Sequence, residues 1–462
     1  MPPTADDSGR AAVIMQRIDS TLDLLRLHEL NPERYPHLLQ SATPGPQARH
    51  DILFAYPETS LVLGADGKVH GTSNLEDEDF LRALDKAWQL EATPWTAKDA
   101  SASPFRGGWF LYLGYELAGQ IETRLRLPTP AESIAIATRF RSALIRDHRD
   151  GSLWLMTERG TENRLEDLAR DIAIVQAQVP NPELDIPPAR FSEDIPERYL
   201  SMVRRVLAYI REGDVFQANL ARTWTAQFAA DLAPAQLYRR LRRYNPGPFN
   251  GIATWPGHAV ISSSPERLVR VRGDEVDTRP IAGTRPRGQG ADADAALSRE
   301  LLAHPKERAE HIMLIDLERN DLGRICEPGS VQVDELMALE SYAHVHHIVS
   351  NVRGRLRAGT TPGRVIRAVF PGGTITGCPK VRCMEIIAEL EGRARGAYTG
   401  SMGYLNRDGD LDLNILIRTL EQRGNSVELR AGAGIVADSD PEHELAETRA
   451  KARGLLRALG MD

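Results

Sequence analysis

Three features are scarce in this sequence of 462 residues: cysteine, long apolar runs and an excess of positive charge. The cysteines Cys326, Cys378 and Cys383 are odd in number and lack the spacing of a zinc site, so we expect reduced thiols in a cytoplasmic protein. No run reaches the roughly eighteen apolar residues of a membrane span, and the polar start MPPTADDSGR is not typical of a signal peptide. A formal net charge of −7 argues against nucleic acid as a partner.

The rest of the composition suits a large folded protein. Apolar residues make up 42% of the chain, enough for a sizeable core. Strands and helices follow one another without regular βαβ alternation, which predicts an α+β fold. The proline-rich segment 179–191, VPNPELDIPPARF, can form neither a helix nor a central strand. We therefore predict a boundary near residue 185, with an N-terminal α+β subdomain over 1–185 and a second domain over 186–462.

Near the C-terminus, the stretch AGAGIVADSDPEHELAETRAK predicts a glycine turn, a short strand and a helix. Gly432 and Gly434 leave the backbone bare, so that its N–H groups can turn toward an anion. Asp440 is a good residue to cap a helix N-terminus, and Pro441 suits the first helical position. This order of residues predicts an anion site next to a helix start.

Two predicted helices carry a pair of glutamates near their beginning. Glu444 and Glu447 are three residues apart, and Lys451 continues the same stripe of the helix. Glu307 and Glu310 repeat this spacing on an earlier helix. Four converging carboxylates would repel one another unless a hard cation lay between them, and Mg²⁺ prefers such ligands. We therefore predict a Mg²⁺ site, and the alternative is two unrelated solvated helix faces.

Other polar side chains occur in settings where they need a partner or a ligand. Glu266 lies in a turn, and Arg418 lies in the apolar, strand-like run LNILIRTL. Lys380 at a helix start is unfavourable unless it pairs or reaches a ligand. His346, in a predicted strand, is expected to be a satisfied core residue. Together these residues predict a Mg²⁺-dependent enzyme with a small carboxylated substrate, without giving the reaction.

From about Tyr199 to Leu459 the chain resembles the chorismate-utilising enzymes. The motifs that carry this resemblance follow in the order of the family: GDVFQANLAR, SSSPERL, TRPIAGTRPRG, KERAEHIMLIDLERNDLGR, FPGGTITGCPKVRCMEII, GSMGYL, IRTL and AGAGIVADSDPEHELAET. The resemblance implies an α+β fold, built as a large antiparallel β-sandwich with helices packed outside.

The resemblance also implies roles for individual residues. Glu310 and Glu447 would be the principal Mg²⁺ ligands, with Glu307 and Glu444 supporting them through water. Glu266 would be the general acid on the C4 hydroxyl of chorismate. The remaining implied residues are His347, Ala282, Gln217 and Thr376 for catalysis, and Arg418, Tyr404, Gly432, Ala433, Gly434, Lys451, Gly283 and Thr284 for substrate binding.

The same resemblance points to ammonia as the nucleophile. Isochorismate and salicylate synthases carry a lysine base for water where this chain has Gln217, which favours ammonia. None of the three cysteines lies in the glycine-rich elbow of a glutaminase, so we expect a separate glutaminase subunit to supply the ammonia.

Two ammonia-using reactions remain, and they differ in the ring carbon that receives nitrogen. HDILFAYP, GYEL, NPGPFN and GGTITG resemble the enzymes that aminate C4, giving 4-amino-4-deoxychorismate for folate synthesis. The LLES motif of anthranilate synthases has lost its glutamate, which is Gln40 here. Ala282 favours the other reaction, because many C4-aminating enzymes carry a lysine there and anthranilate synthases do not. We predict amination at C4; the alternative is amination at C2 with loss of pyruvate, giving anthranilate. Intact acid and ligand residues argue against an inactive regulatory relative.

Overall fold

The structure is a computed structural model that describes residues 13–43, 49–71, 79–96, 103–179, 186–288, 290–303, 305–341 and 345–461. Residues 180–185 of the predicted linker lie outside these ranges.

The strands in the described ranges are β1 Val13–Ile18, β2 His37–Gln40, β3 His50–Leu63, β4 Val69–His70, β5 Gly108–Leu113, β6 Ala135–Asp147, β7 Leu153–Glu158, β8 Ala189–Glu193, β9 Gln217–Phe228, β10 Phe249–Trp255, β11 His258–Ser264, β12 Arg267–Arg272, β13 Glu275–Thr278, β14 Ile281–Pro286, β15 Gln332–Ser341, β16 Val345–Arg355, β17 Gly377–Cys378, β18 Ser401–Asn406, β19 Leu411–Asn414, β20 Thr419–Arg423 and β21 Ser426–Ile435.

The α-helices are α1 Leu25–Leu30, α2 Phe80–Glu91, α3 Ala118–Ile121, α4 Asn163–Ala177, α5 Pro196–Arg211, α6 Pro234–Tyr244, α7 Ala291–Ala303, α8 Pro305–Gly323, α9 Pro362–Val369, α10 Lys380–Glu391 and α11 Pro441–Ala458. Short 3₁₀ turns cover Tyr115–Leu117 and Gly373–Ile375.

The strands form one connected, antiparallel network that branches at β6. One edge of β6 pairs with β3, while residues 135–140 of its other edge pair with β5 and residues 142–146 with β7. From β3 the network continues through β2, β10, β11, β20, β21, β9 and β8. From β5 it continues through β18, β19, β12, β13 and β16, which also pairs with β14 and β15.

Strands on both sides of the predicted boundary pair directly with each other. β2 pairs with β10, and β5 pairs with β18, so the N-terminal strands continue the sheets of the C-terminal part. β8 begins inside the proline-rich segment 179–191 and pairs only with β9 in the described part of the chain. The boundary near residue 185 stays a prediction.

The apolar core is layered. One cluster draws almost entirely on strands and includes Phe54, Phe110, Val260 and Met402. A second cluster adds α1, α4, α6 and α11 to the strands, and a third adds α2, α8 and α9. Burial of large apolar side chains is the main stabilising contribution to a fold. These clusters therefore stabilise an arrangement in which strands pack on strands and the helices lie outside. The predicted α+β fold, an antiparallel β-sandwich with helices outside, is confirmed.

Candidate active site

The C-terminal motif forms the end of β21 and the start of α11. The predicted cap is confirmed: Asp440 Oδ1 accepts a hydrogen bond of 2.9 Å from the backbone N–H of His443, and Pro441 occupies the first turn. This cap satisfies an N–H group that has no partner within the helix. It also fixes the first turn of α11, which carries the acidic side chains.

The two glycines that precede α11 provide space. The predicted glycine turn is wrong, because Gly432 and Gly434 belong to β21 and pair with β9. A Cβ on Gly434 would lie 2.1 Å from Gln217 Nε2, and one on Gly432 would lie 2.8 Å from the Tyr398 hydroxyl and 2.9 Å from Asn219 Oδ1. A larger residue would displace these polar groups. An anion-binding role for the 432–434 amides stays a prediction.

Three side chains at the start of α11 could hold a cation. One potential ligand atom of each of His443, Glu444 and Glu447 lies within 4.8 Å of the others, and no other such group of His, Cys, Asp or Glu occurs in the described ranges. Glu444 is buried and Glu447 half-buried. This oxygen-rich set fits a hard cation such as Mg²⁺. Glu307 and Glu310 are outside this group, and the convergence of all four carboxylates stays a prediction.

Lys451 connects the acidic group to β21. Its Nζ lies 2.6 Å from Glu447 Oε1 and donates to the Gly432 carbonyl at 3.0 Å. The two charged side chains are 35% and 38% exposed, so the ion pair itself adds little stability. Its consequence is positional, because it holds a carboxylate and an ammonium beside the backbone of the glycine strand.

Arg418 brings a guanidinium to the same region. The predicted strand is wrong at this point: Arg418 lies between β19 and β20 with a φ of 54°, a region that is uncommon for residues with a Cβ. In the part of the chain that the structure describes, its guanidinium makes no hydrogen bond or ion pair. Burial lowers its pKa, while Tyr398 and Glu447 act in the opposite direction. Such a cation is well placed to bind a carboxylate.

Glu266 has the properties of a general acid. Its carboxyl is buried, and burial raises its pKa to about 7. One oxygen accepts a hydrogen bond of 2.8 Å from Thr374 Oγ1, and the backbone of Ile281 provides a second bond. Lys451 lies near enough to lower the pKa somewhat. A carboxyl that is protonated near neutral pH can donate a proton to a leaving group.

The threonine that contacts this acid differs from the implied one. Thr376 Oγ1 donates to the carbonyl of Gly372 at 2.9 Å, so its hydroxyl is used within the turn. Thr374, two residues earlier, binds Glu266 instead. The structure therefore supports Thr374 rather than Thr376 as the active-site threonine.

The implied tyrosine is also in a different place. Tyr404 packs in the strand core, with its ring centroid 6.1 Å from that of Phe105, and its charged neighbours include Arg106 and Asp412. The substrate-binding role of Tyr404 is corrected on this ground. Tyr398, whose hydroxyl lies beside Gly432, takes the expected position.

His347 lies on β16, where its register partner is Thr284 of β14. The imidazole bonds to the backbone of Gly283, and burial together with the charge of Arg418 lowers its pKa to about 4. His347 is therefore neutral at physiological pH. A Cβ on Gly283 would lie 2.8 Å from Glu307 Oε2, which places this carboxylate next to the same part of β14.

Gln217 marks the start of β9 and pairs with Cys378 of β17. Its Oε1 is buried and has no hydrogen-bond donor among the described residues, and the same holds for Asn219 Oδ1. Side chains two residues apart in a strand share a face, so both oxygens lie on the side of the glycines. Unpaired buried acceptors are rare, and these two suit a ligand with N–H or O–H groups. Ala282, in β14, contributes only a methyl group.

Two predictions of structural partners are confirmed. His346 lies 2.9 Å from Asp294 and 2.8 Å from Ser341, which makes it a satisfied buried histidine. Lys380 Nζ lies 2.5 Å from Asp321 Oδ2, so it pairs within the protein.

The sequence analysis did not identify three residues of the site: Asn219, Thr374 and Tyr398. The first two lie in motifs that it quoted. Asn219 could have been found, since strand alternation places it on the same face as Gln217. Thr374 and Tyr398 required the geometry of a 3₁₀ turn and of a loop.

Comparisons with known proteins identify the family of this chain. A family described as chorismate binding enzyme matches residues 36–457, and the chain belongs to this family. It is 40% identical over 457 residues to aminodeoxychorismate synthase component 1 of Bacillus subtilis, covering 94% of each chain. It is 39% identical over 451 residues to anthranilate synthase component 1 of Thermus thermophilus, covering 95% of this chain and 94% of the relative.

Solved structures give the same result. The crystal structure of anthranilate synthase component I from Streptococcus pneumoniae superposes with a TM-score of 0.77 at 33% identity, covering 88% of this chain and 92% of that one. The protein is thus a chorismate-utilising enzyme, and relatives with two different reactions are similarly close. No helix in the described ranges is long and apolar enough to cross a membrane.

Proposed function

We propose that this enzyme aminates chorismate at C4 with ammonia, giving 4-amino-4-deoxychorismate for 4-aminobenzoate and folate synthesis. The use of ammonia rather than water rests on Gln217, an amide whose Oε1, like Oδ1 of Asn219, accepts no hydrogen bond from the described residues. The choice of C4 rests on the similarity, along 94% of each chain, to aminodeoxychorismate synthase component 1. Ammonia needs hydrogen-bond acceptors and no base, since it is already a nucleophile when neutral. Water would need deprotonation, and a neutral amide cannot do this.

Substrate carboxylates would be held by positive charge and hydroxyl groups. Arg418 provides a guanidinium that makes no hydrogen bond or ion pair with the described residues, and Tyr398 presents a hydroxyl beside the bare Gly432. Lys451 lies on the same backbone segment. Because charge-assisted hydrogen bonds are strongest in a partly desolvated site, these groups would fix both the position and the orientation of the ring.

A Mg²⁺ ion would complete the binding of the substrate. Glu310 and Glu447 would be its principal ligands, with Glu307 and Glu444 supporting them through water. The closeness of Glu444 and Glu447 at the start of α11, with His443 beside them, supports this site. When bound, the ion would neutralise and align a carboxylate of the substrate.

The acid step belongs to Glu266. Its proton goes to the C4 hydroxyl, which leaves as water, so that the carboxyl becomes a carboxylate. Because Ala282 has no nucleophile, ammonia adds at C2 as the hydroxyl leaves, which gives a C2 ammonium group. A second ammonia then adds at C4 while the C2 group departs as ammonia, and the new C4 ammonium group returns a proton to the Glu266 carboxylate. The original ring pattern returns with nitrogen in place of oxygen.

The ammonia would come from a separate glutaminase subunit. Burial raises the pKa of all three thiols, Cys326, Cys378 and Cys383, so none of them is a reactive thiolate. We expect the isolated chain to use ammonium and not glutamine. The free thiols also accord with the predicted cytoplasmic location.

The second candidate function is anthranilate synthesis, and Ala282 favours it. If the first ammonia adduct at C2 loses pyruvate before a second ammonia arrives, the product is anthranilate. We therefore expect some leakage to the 2-amino intermediate or to anthranilate even in an enzyme that aminates C4.

The test is product analysis with chorismate, Mg²⁺ and ammonium. A lyase that converts aminodeoxychorismate to 4-aminobenzoate is added to one of two parallel reactions. We expect 4-aminobenzoate as the main product with the lyase, and less leakage in Ala282→Lys. Anthranilate as the dominant product, with no 4-aminobenzoate on adding the lyase, would overturn the proposal in favour of the second candidate.

A further inference from the structure

A buried charge cluster lies behind the proposed general acid. Lys380, at the start of α10, donates to Asp321 Oδ2 at 2.5 Å and to the Val369 carbonyl at 3.1 Å. Glu318, one turn earlier than Asp321 on α8, is also buried, with 6% exposure against 3% for Asp321. One ammonium therefore faces two buried carboxyl groups, and it is bonded to only one of them.

Glu318 reaches the segment that holds Glu266. Its Oε1 lies 3.5 Å from the position that a Cβ on Gly373 would take. The next residue, Thr374, donates to Glu266 at 2.8 Å. The cluster is thus linked to the acid through two adjacent residues of one 3₁₀ turn.

We propose that Glu318 is a positioning residue that keeps a proton and stays neutral behind Glu266, while the Asp321–Lys380 pair carries the buried charges. This inference rests on the proposed role of Glu266 as the acid. Neither residue of the pair touches the substrate side of the site in our assignment.

Electrostatics support this distribution of protons. Burial raises the pKa of Glu318 to about 8, with repulsion from Asp321 next in size. Lys380 and a hydrogen bond with Thr278 lower it, and Glu266 raises it slightly. Burial also raises the pKa of Asp321, against which Lys380 and Arg324 act. Because ionising two adjacent buried carboxyl groups is energetically unfavourable, Asp321, which pairs with Lys380, is charged and Glu318 is neutral.

A neutral neighbour matters for the strength of the acid. Glu266 itself has a pKa of about 7 with burial as the main cause, and Lys451 is the charged group that faces it from α11. An ionised Glu318 would raise this pKa further and make Glu266 a weaker acid. A neutral Glu318 leaves it close to the working pH, where general acids are most effective.

Two variants of the cluster have opposite expected effects. Glu318→Gln keeps the shape and the neutrality, so chorismate consumption at pH 7 should stay within about twofold of the wild type. Above pH 8 the wild type can share its last proton between Glu266 and Glu318, and the variant cannot, because it lacks the second carboxyl. The wild type should therefore retain about threefold more of its maximal rate than the variant at pH 9.

The second variant is Asp321→Asn. It removes the carboxylate that competes for Lys380, so Glu318 should ionise at neutral pH. The new charge beside Glu266 should move the alkaline limb of the pH profile to higher pH. A residue with a merely structural role would change the rate at all pH values without moving this limb.

Infrared difference spectroscopy tests the protonation state without turnover. The unliganded wild type at pH 7 should show a carboxylic-acid band that disappears in both variants. Chorismate consumption is scored regardless of product, so a different product affects only the proposed function. Identical pH profiles for the three proteins, or a wild-type spectrum whose acid band does not change in Glu318→Gln, would overturn the inference.

Discussion

Replacing Glu266 by glutamine should make the protein more stable and almost inactive. The amide keeps the shape of the side chain, and its oxygen can still accept the bond from Thr374. It cannot donate a proton with the strength of a carboxylic acid. Loss of a general acid costs roughly 10²- to 10⁴-fold in rate, so we expect a fall of that size in kcat.

The stability effect follows from the pKa of the buried carboxyl. In the folded protein Glu266 has a pKa of about 7, against an ordinary value of 4.5, because burial disfavours its charge. The folded state therefore binds the proton more tightly than the unfolded state. This contribution to stability is complete below pH 4.5 and is lost as pH rises through about 7. The difference of about 2.5 pH units corresponds to about 3 kcal/mol at pH 8, as an upper limit.

Denaturant unfolding at several pH values measures this directly. Glu266→Gln and the wild type should unfold at similar denaturant concentrations at pH 5, and the variant should be the more stable one at pH 8. Glu158→Gln is the control: this buried carboxylate pairs with Arg139 away from the site, so its loss should lower stability and leave turnover unchanged. Turnover of Glu266→Gln at the wild-type rate would refute the reasoning. A loss of stability between pH 5 and pH 8 that is as large in the variant as in the wild type would also refute it.

Two further variants test the ligands of the substrate. Glu447→Gln should weaken Mg²⁺ binding in a calorimetric titration and lower activity by orders of magnitude. Glu442→Gln, on the exposed side of the same helix turn, should do neither, and equal effects of the two variants would show that the metal assignment is wrong. Arg418→Gln should raise KM for chorismate by about tenfold to a hundredfold, because a charge-assisted hydrogen bond is lost, and an unchanged KM would place the carboxylate elsewhere.

Several of the sequence-based predictions that are confirmed concern features that depend only on neighbouring residues in the chain. The start of α11 is such a case, since the cap by Asp440 and the fixed φ of Pro441 involve only neighbours in the chain. The order of strands and helices predicted the α+β class, and the family resemblance implied the antiparallel sandwich. The pairing of Lys380 followed from a general rule, because a lysine at a helix start needs an anion.

The errors concern features that depend on distant parts of the chain. The apolar residues around Arg418 predicted an unbroken strand, but its positive φ and the bonds from Ser263 to its carbonyl interrupt it. Thr374 and Thr376 are indistinguishable in GGTITG until a 3₁₀ turn directs one hydroxyl to Glu266 and the other to the backbone.

The choice between tyrosines had the same origin. Tyr404 lies in a strand whose side chains alternate, and only the packing of the other sheet decides that it faces the core. Tyr398 lies in the preceding loop, where no periodicity exists. The meeting of the two pairs of glutamates stays a prediction, because it depends on how α8 and α11 approach each other, which spacing along the chain does not give.

The most direct test of C4 amination uses nitrogen-15 ammonium. The purified chain is incubated with chorismate, Mg²⁺ and the labelled ammonium, and nuclear magnetic resonance of the product locates the label. We predict nitrogen-15 bonded to C4 of a ring that still carries its enolpyruvyl group. Label at C2 of an aromatic product, together with one equivalent of released pyruvate, would contradict this account.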